Sequence, residues 1–91
     1  MKTPRVAIIL GSASDIPLVE KSYPLFDEFG IAHDVIVASA HRTPKKVMAF
    51  VEGAEKKYDA IIAGAGMAAQ LPGVVAAHTI LPVIGLPISS P

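Results

Sequence analysis

The chain has 91 residues, enough for one small domain, and 52% of them are hydrophobic. Eight basic residues balance eight acidic ones, so no net charge attracts the chain to nucleic acid or to an anionic membrane. The chain contains no cysteine, which excludes a disulfide framework and a cysteine metal site.

An uncharged stretch occupies the last third of the chain. No Lys, Arg, Asp or Glu follows Asp59, but glycines and prolines interrupt the stretch, so no run of about 20 apolar residues remains for a membrane helix. We expect a buried strand, a helix and a second strand there. Residues 6–10 are too short an apolar run for a signal peptide, and we therefore expect a cytoplasmic protein.

The chain begins with a predicted strand and helix. Val6–Leu10 is a short, unalternating apolar run, which is typical of a strand covered on both faces. After it, Asp15 or Ile16 is the predicted cap of a helix whose first residue is Pro17. Gly30 is the predicted end of that helical segment.

A second proline predicts that this helix is interrupted. Pro24 lies in its interior, where proline costs about 3 kcal/mol, so we expect a kink or a break near residues 20–24. Asp34–Ala38 is the second predicted strand. Thr43 and Pro44 then predict the start of the next helix, with Thr43 as its cap.

The rest of the chain predicts a helix, a strand, a short helix and a strand. The first of these helices has a buried stripe of Val47, Val51 and Ala54 at helical spacing. The later elements are a strand over Ala60–Ala63, a helix from Leu71 to about Thr79 and a strand over Pro82–Leu86. Alternating strands and helices predict one α/β domain over residues 1–91 with a parallel sheet.

Polar and glycine-rich residues are concentrated in the loops that follow the four predicted strands. In a parallel sheet these loops meet at one edge, where ligands bind. The segments are GSASD (11–15), SAHRTP (39–44), GAGMAAQ (64–70) and ISS (88–90). The loops at the opposite edge lack this composition, which indicates a binding site at the carboxyl edge.

The first of these loops allows two interpretations. Gly11 permits a tight turn, and the hydroxyls of Ser12 and Ser14 with free N–H groups at a helix start suit a phosphate or a ribose hydroxyl. A glycine turn closed by serine and aspartate caps explains the same residues. Asp15 is compatible with either role, as a ribose ligand or as a cap.

The second loop places His41 beside Arg42 at the predicted start of a helix. Arg42 could bind a phosphate bidentately, and an imidazole next to it could accept a proton. The alternative is a capping loop with an exposed His and Arg. His33, which begins a strand at the far end of the sheet, is predicted to lie on the surface, and His78 to serve packing or a subunit contact. Three scattered histidines predict no metal site.

Together the motifs GSASD, SAHRTP, AGAGMAAQLPGVVAA and LPVIGLPISS, in this order, resemble the N5-carboxyaminoimidazole ribonucleotide mutase family of bacterial purine synthesis. The resemblance implies a flavodoxin-like three-layer α/β/α fold and a homo-octamer with sites at subunit contacts. It also implies a cofactor-free transfer of a carboxylate from N5 to C4 of an aminoimidazole ribonucleotide, a small-molecule nucleotide.

The resemblance assigns roles to individual residues. His41 matches the family's catalytic histidine, and Ser12, Asp15 and Arg42 match its nucleotide ligands, with Asp15 on the ribose and Arg42 on the phosphate. The pocket would be lined further by Ser14, Ser39 and the backbone of Ala65 and Gly66.

The chain departs from the family pattern in three ways. Met67 stands where a glycine is expected, and Gln70 where a histidine often precedes Leu-Pro-Gly. The family also continues past residues 88–90 with another strand and a C-terminal helix that this sequence lacks. Two alternatives stay open: a related carboxylase that uses free CO2, and, because of the missing segment, a truncated nucleotide-binding domain without activity.

Overall fold

The computed structural model describes residues 3–66 and 70–88, with only the backbone of Ala65 and Gln70. The four strands are β1 (Arg5–Leu10), β2 (Ala32–Val37), β3 (Ala60–Gly66) and β4 (Val83–Ile88). The helices in the described part of the chain are α1 (Ile16–Glu20), α2 (Tyr23–Glu28), α3 (Pro44–Lys57) and α4 (Gln70–Ala76), and a 3-10 turn (Ala13–Asp15) precedes α1. None of the described helices is long and apolar enough to cross a membrane.

The four strands form one parallel sheet in the order β2-β1-β3-β4, which confirms the predicted α/β class and parallel pairing. This order is that of a flavodoxin-like sheet. Leu10, the last residue of β1, pairs with Val37 on one side and with Gly64 on the other. The segments that follow these strands therefore leave the sheet side by side.

The predicted break in the first helical segment is confirmed. Helix α1 ends at Glu20 and α2 begins at Tyr23, which makes Pro24 the second residue of a new helix. There its missing N–H needs no partner, because the first N–H groups of a helix have none within the helix. Gly30 ends the segment with φ +67°, a conformation that costs glycine little.

Helices α3 and α4 cover one face of the sheet. The predicted stripe of α3 is buried as expected, and it packs on β1 and β3. The buried residues of this core are Ala7, Ile9, Ala38, Val47, Val51, Ala54, Tyr58, Ile61, Ala63, Leu71 and Val75.

The other face is covered over only part of its width. Val19 of α1 packs on Ile8 and Leu10 of β1 in a second, smaller core. On β4, however, Ile84 is 57% exposed and Leu86 is 37% exposed. Strand β4, the second strand of the uncharged stretch, is therefore open on this face. It is an edge strand, and α4 packs on its opposite face.

Candidate active site

Backbone hydrogen bonds bring the ends of three strands together. The N–H of Gly11 donates to the carbonyl oxygen of Gly64 at 3.2 Å, and the N–H of Ala38 donates to that of Leu10 at 2.8 Å. The loops after β1, β2 and β3 thus start next to one another, as the sequence predicts for a parallel sheet.

The first loop forms a compact turn around Ser12. Its hydroxyl lies 2.9 Å from the Ser14 hydroxyl and accepts a 3.3 Å hydrogen bond from the Ser14 N–H. Ser12 therefore caps the 3-10 turn, as one of the two interpretations predicts. Asp15 occupies the cap position of α1 without a side-chain capping bond, and Pro17 is the second helical residue instead of the first. The carboxylate of the half-buried Asp15 therefore makes no helix-capping hydrogen bond and is available to a ligand.

The second loop is organised by Ser39 and Thr43. Thr43 stands at the cap position of α3 and Pro44 is its first residue, as predicted, although the Thr43 side chain makes no capping hydrogen bond. Its Oγ1 instead accepts from the Ser39 N–H at 2.8 Å and donates to the Ser39 carbonyl at 3.2 Å. The Thr43 hydroxyl points back towards the end of β2, because the backbone of Ser39 supplies both a donor and an acceptor for it.

His41 and Arg42 lie at the tip of this loop with exposed side chains. Their backbone N–H groups donate to Ser39 Oγ at 3.2 and 3.1 Å. The Ser39 oxygen thus accepts two bonds, which leaves its own hydroxyl proton for a further acceptor. The structure brings these three predicted site residues together in one turn.

A cleft of about 330 Å³ opens between the first and second loops. Its lining combines backbone, hydroxyls and two cations: Gly11, Val37, Ala38, Ser39, Arg42, Thr43 and Lys46. Of the predicted site residues whose side chains the structure describes, Ser39 and Arg42 line it. Ser12, Ser14, Asp15 and His41 lie in the two loops that border it.

Lys46 was not predicted from the sequence. It lies in the first turn of α3, directly after the loop that carries Arg42, and this position is the signal that could have indicated it. Within residues 3–66 and 70–88, no acidic residue lines the cleft with these two cations.

The third loop is described only at its start. Gly66 is half-buried at the end of β3 and pairs with Ile88, and the backbone of Ala65 pairs with Pro87. Met67 lies outside the described residues, and of Gln70 only the backbone is described, at the start of α4.

The other two histidines lie away from this edge. His33 is half-buried, so it is only partly at the surface, and it packs against the rings of Tyr23 and Phe26 at centroid distances of 4.5 and 5.1 Å. His78 follows α4 and is exposed. Residues 3–66 and 70–88 contain no group of three or more His, Cys, Asp or Glu side chains that could hold a metal ion.

Comparison with known proteins identifies relatives over nearly the whole chain. The chain is 48% identical over 88 residues to the N5-carboxyaminoimidazole ribonucleotide mutase of Thermotoga maritima, covering 96% of this chain and 52% of the relative. It is 49% identical over 87 residues to the enzyme of the same name from Escherichia coli K12, covering 94% and 52%. It is also 48% identical over 89 residues to the phosphoribosylaminoimidazole carboxylase of Saccharomyces cerevisiae, covering 97% and 16%.

A solved structure also matches nearly the whole chain. A crystal structure of a Treponema denticola PurE2 variant superposes with a TM-score of 0.87 at 28% identity, covering 98% of this chain and 57% of the other. The chain spans about half the length of the bacterial relatives described above. The AIR carboxylase family model matches residues 5–91. This chain therefore belongs to the AIR carboxylase family.

Proposed function

We propose that the protein is an N5-carboxyaminoimidazole ribonucleotide mutase that acts in the cytoplasm in purine synthesis. The bond between N5 and the carboxylate carbon breaks, and a bond from that carbon to C4 forms. The proton that C4 loses replaces the carboxylate on N5, so the reaction balances without a cofactor or an added reactant.

One observation carries this proposal. A single turn, closed by Ser39, presents an imidazole and a guanidinium at the edge where the strand ends meet. A proton carrier and an anion ligand are the two groups that moving a carboxylate on a phosphorylated nucleotide requires. The names of relatives that are 48–49% identical support the same reaction.

The neighbouring residues have proposed roles in holding the nucleotide. Arg42 binds the phosphate at the cleft, where the Ser39 hydroxyl proton is available to a phosphate oxygen. Asp15 binds the ribose hydroxyls, because its carboxylate is not used as a helix cap. Ser12 and Ser14 contact the nucleotide from the same loop.

The third loop is proposed to complete the pocket. The backbone of Ala65 and Gly66 lies where β3 ends, beside the first loop, since Gly64 accepts the Gly11 N–H bond. There Ala65 and Gly66 would border the aminoimidazole. His41 carries the proton between C4 and N5.

The proposed assembly is a homo-octamer of the whole protein with sites at subunit contacts. The exposed apolar side chains of β4, Ile84 and Leu86, support burial against further protein. Light scattering of the purified protein tests this directly, and a monomer at working concentration would contradict it.

The proposed role of His41 is tested with His41→Asn. We expect turnover to be abolished while the nucleotide still binds, because Asn cannot carry the proton but leaves Arg42 in place. His78→Asn, an exposed histidine away from the carboxyl edge, is the matched control and should retain turnover. Near-normal turnover of His41→Asn would show that another group carries the proton.

A second candidate is a carboxylase that uses free CO2 on the aminoimidazole ribonucleotide. It is favoured by the yeast relative, which is named a carboxylase and is 48% identical over 97% of this chain. Each substrate should be supplied separately, with and without bicarbonate. Turnover of the N5-carboxylated substrate without bicarbonate supports the mutase, and strict dependence on bicarbonate supports the carboxylase.

A further inference from the structure

We infer that Thr43 is a positioning residue, which holds the turn that presents His41 and Arg42 in the geometry the reaction needs. The inference rests on the proposed function, because it assigns those two side chains to proton transfer and phosphate binding. Thr43 itself is assigned no contact with the reacting atoms.

The first step of the argument is the hydrogen bonding of the Thr43 hydroxyl. Oγ1 accepts from the Ser39 N–H at 2.8 Å and donates to the Ser39 carbonyl at 3.2 Å. The Thr43 N–H donates to the same carbonyl at 2.9 Å. Three hydrogen bonds therefore connect one residue to both backbone groups of another, and they close the turn from 39 to 43.

The second step is what this closure does to the residues inside the turn. With Ser39 held, its Oγ accepts the N–H groups of His41 and Arg42 at 3.2 and 3.1 Å. The backbone positions of both residues therefore depend on Ser39, whose backbone depends on Thr43. Their side chains are exposed, so little else in the described structure restrains them.

The third step is how the closed turn is attached to the rest of the fold. The carbonyl of Thr43 accepts the N–H groups of Lys46 and Val47 at 3.1 and 3.2 Å, which joins it to the first turn of α3. Val47 is fully buried in the core. Thr43 thus connects the exposed tip to a rigid helix, and displacement of a reacting group by about 1 Å can cost about 100-fold in rate.

The test compares Thr43→Val, which keeps the shape and removes the hydroxyl, with Thr43→Ser, which keeps the hydroxyl. Thr79→Val is the matched control: the Thr79 hydroxyl bonds Glu55 and accepts the Leu81 N–H, in a segment that precedes β4 and is remote from the site. We expect Thr43→Val to lower kcat and raise KM, each by about 10-fold or more. Thr43→Ser should stay within about threefold of the wild type, and Thr79→Val should leave both constants unchanged.

Amide hydrogen exchange supplies a readout that does not require activity. Faster exchange at Ser39, His41 and Arg42 in Thr43→Val, reversed in Thr43→Ser, is the expected result. Unchanged exchange at these amides, unchanged kinetic constants in Thr43→Val, or equal impairment of Thr43→Ser would overturn the inference. If the wild type lacks both mutase and carboxylase activity, the proposed function fails, whereas the exchange data still decide whether Thr43 holds the turn.

Discussion

The Tyr58 hydroxyl donates a 2.7 Å hydrogen bond to Asp34 Oδ2, joining the residue after α3 to strand β2. The same oxygen accepts Arg5 Nη1 at 3.1 Å and has Lys57 Nζ at 3.8 Å. This cluster lies at the amino edge of the sheet, opposite the proposed active site. It makes the stability of the fold depend on pH at both extremes.

At acid pH, we expect stability to be lost as Asp34 is protonated. The hydrogen bond from Tyr58, and then the charges of Arg5 and Lys57, hold the pKa of Asp34 below its usual value of 3.8. A carboxyl group with a lowered pKa stabilises the folded state above about pH 3.8, and this contribution disappears as the pH falls through the folded-state pKa.

Tyr58→Phe tests this relationship. Without the Tyr58 hydroxyl, the pKa of Asp34 should rise towards its usual value, and the free energy of unfolding should fall by about 1 kcal/mol. NMR titration of the Asp34 carboxyl group and urea unfolding measure the two effects. Asp27→Asn, on the exposed side of α2, is the control that should leave the Asp34 titration unchanged. An unaltered Asp34 titration in Tyr58→Phe would contradict the prediction.

At alkaline pH, we expect a second loss of stability, from Tyr58. Burial, and then the hydrogen bond and charge of Asp34, raise the pKa of Tyr58 from 10.0 to about 12. The contribution of Tyr58 to the free energy of unfolding is fully present below pH 10.0. It is lost as the pH rises towards about 12, because the unfolded chain releases the phenolic proton at a lower pH than the folded one.

The chain contains only two tyrosines, so Tyr23→Phe isolates the absorbance of the Tyr58 phenolate. In that background the phenolate should appear near pH 12, and adding Asp34→Asn should lower the midpoint. A midpoint that does not move with Asp34→Asn would exclude Asp34 as a cause of the shift.

Lys46 should strengthen phosphate binding at the cleft. A phosphate monoester carries between one and two negative charges near pH 7, and Arg42 alone supplies a single positive charge. Because Lys46 lines the same cleft, Lys46→Gln should raise KM about fivefold with a smaller change in kcat.

Lys45→Gln is a closely matched control for Lys46. It removes the same charge from the adjacent residue of α3, and Lys45 is not among the residues that line the cleft. Its KM should remain close to that of the wild type. Equal effects of the two variants would indicate a general charge effect instead of a contact with the phosphate.

Two glycines should respond to substitution in opposite ways. A Cβ at Gly64 would lie 3.0 Å from Leu10 Cδ2 and 3.1 Å from Ile88 Cδ1, so Gly64→Val should destabilise the fold by about 1–3 kcal/mol. Apart from its chain neighbours and the backbone of its own helix, no atom of the described residues lies within 4 Å of a Cβ at Gly53 in α3, so Gly53→Ala should stabilise the fold by about 0.5–1 kcal/mol. Urea unfolding of both variants measures the difference, and a stability gain for Gly64→Val would contradict the packing at this strand end.

Much of the fold follows from local features of the sequence. The apolar run before Gly11, the proline that divides α1 from α2, and the stripe of Val47, Val51 and Ala54 all predict what the structure contains. These features depend on residues a few positions apart, whose backbone preferences and periodicity act before any distant contact forms. The grouping of polar loops at one edge also follows, because parallel strands share their direction.

The tertiary structure alone decided the strand order β2-β1-β3-β4, the exposure of β4, the packing of His33 and the use of the Thr43 hydroxyl. It also placed Lys46 in the cleft. Each of these depends on partners that the chain brings together only when it folds. A threonine before a helix can cap it or bond a preceding residue, and local sequence favours neither. The choice is made by the position of Ser39, which the end of β2 determines.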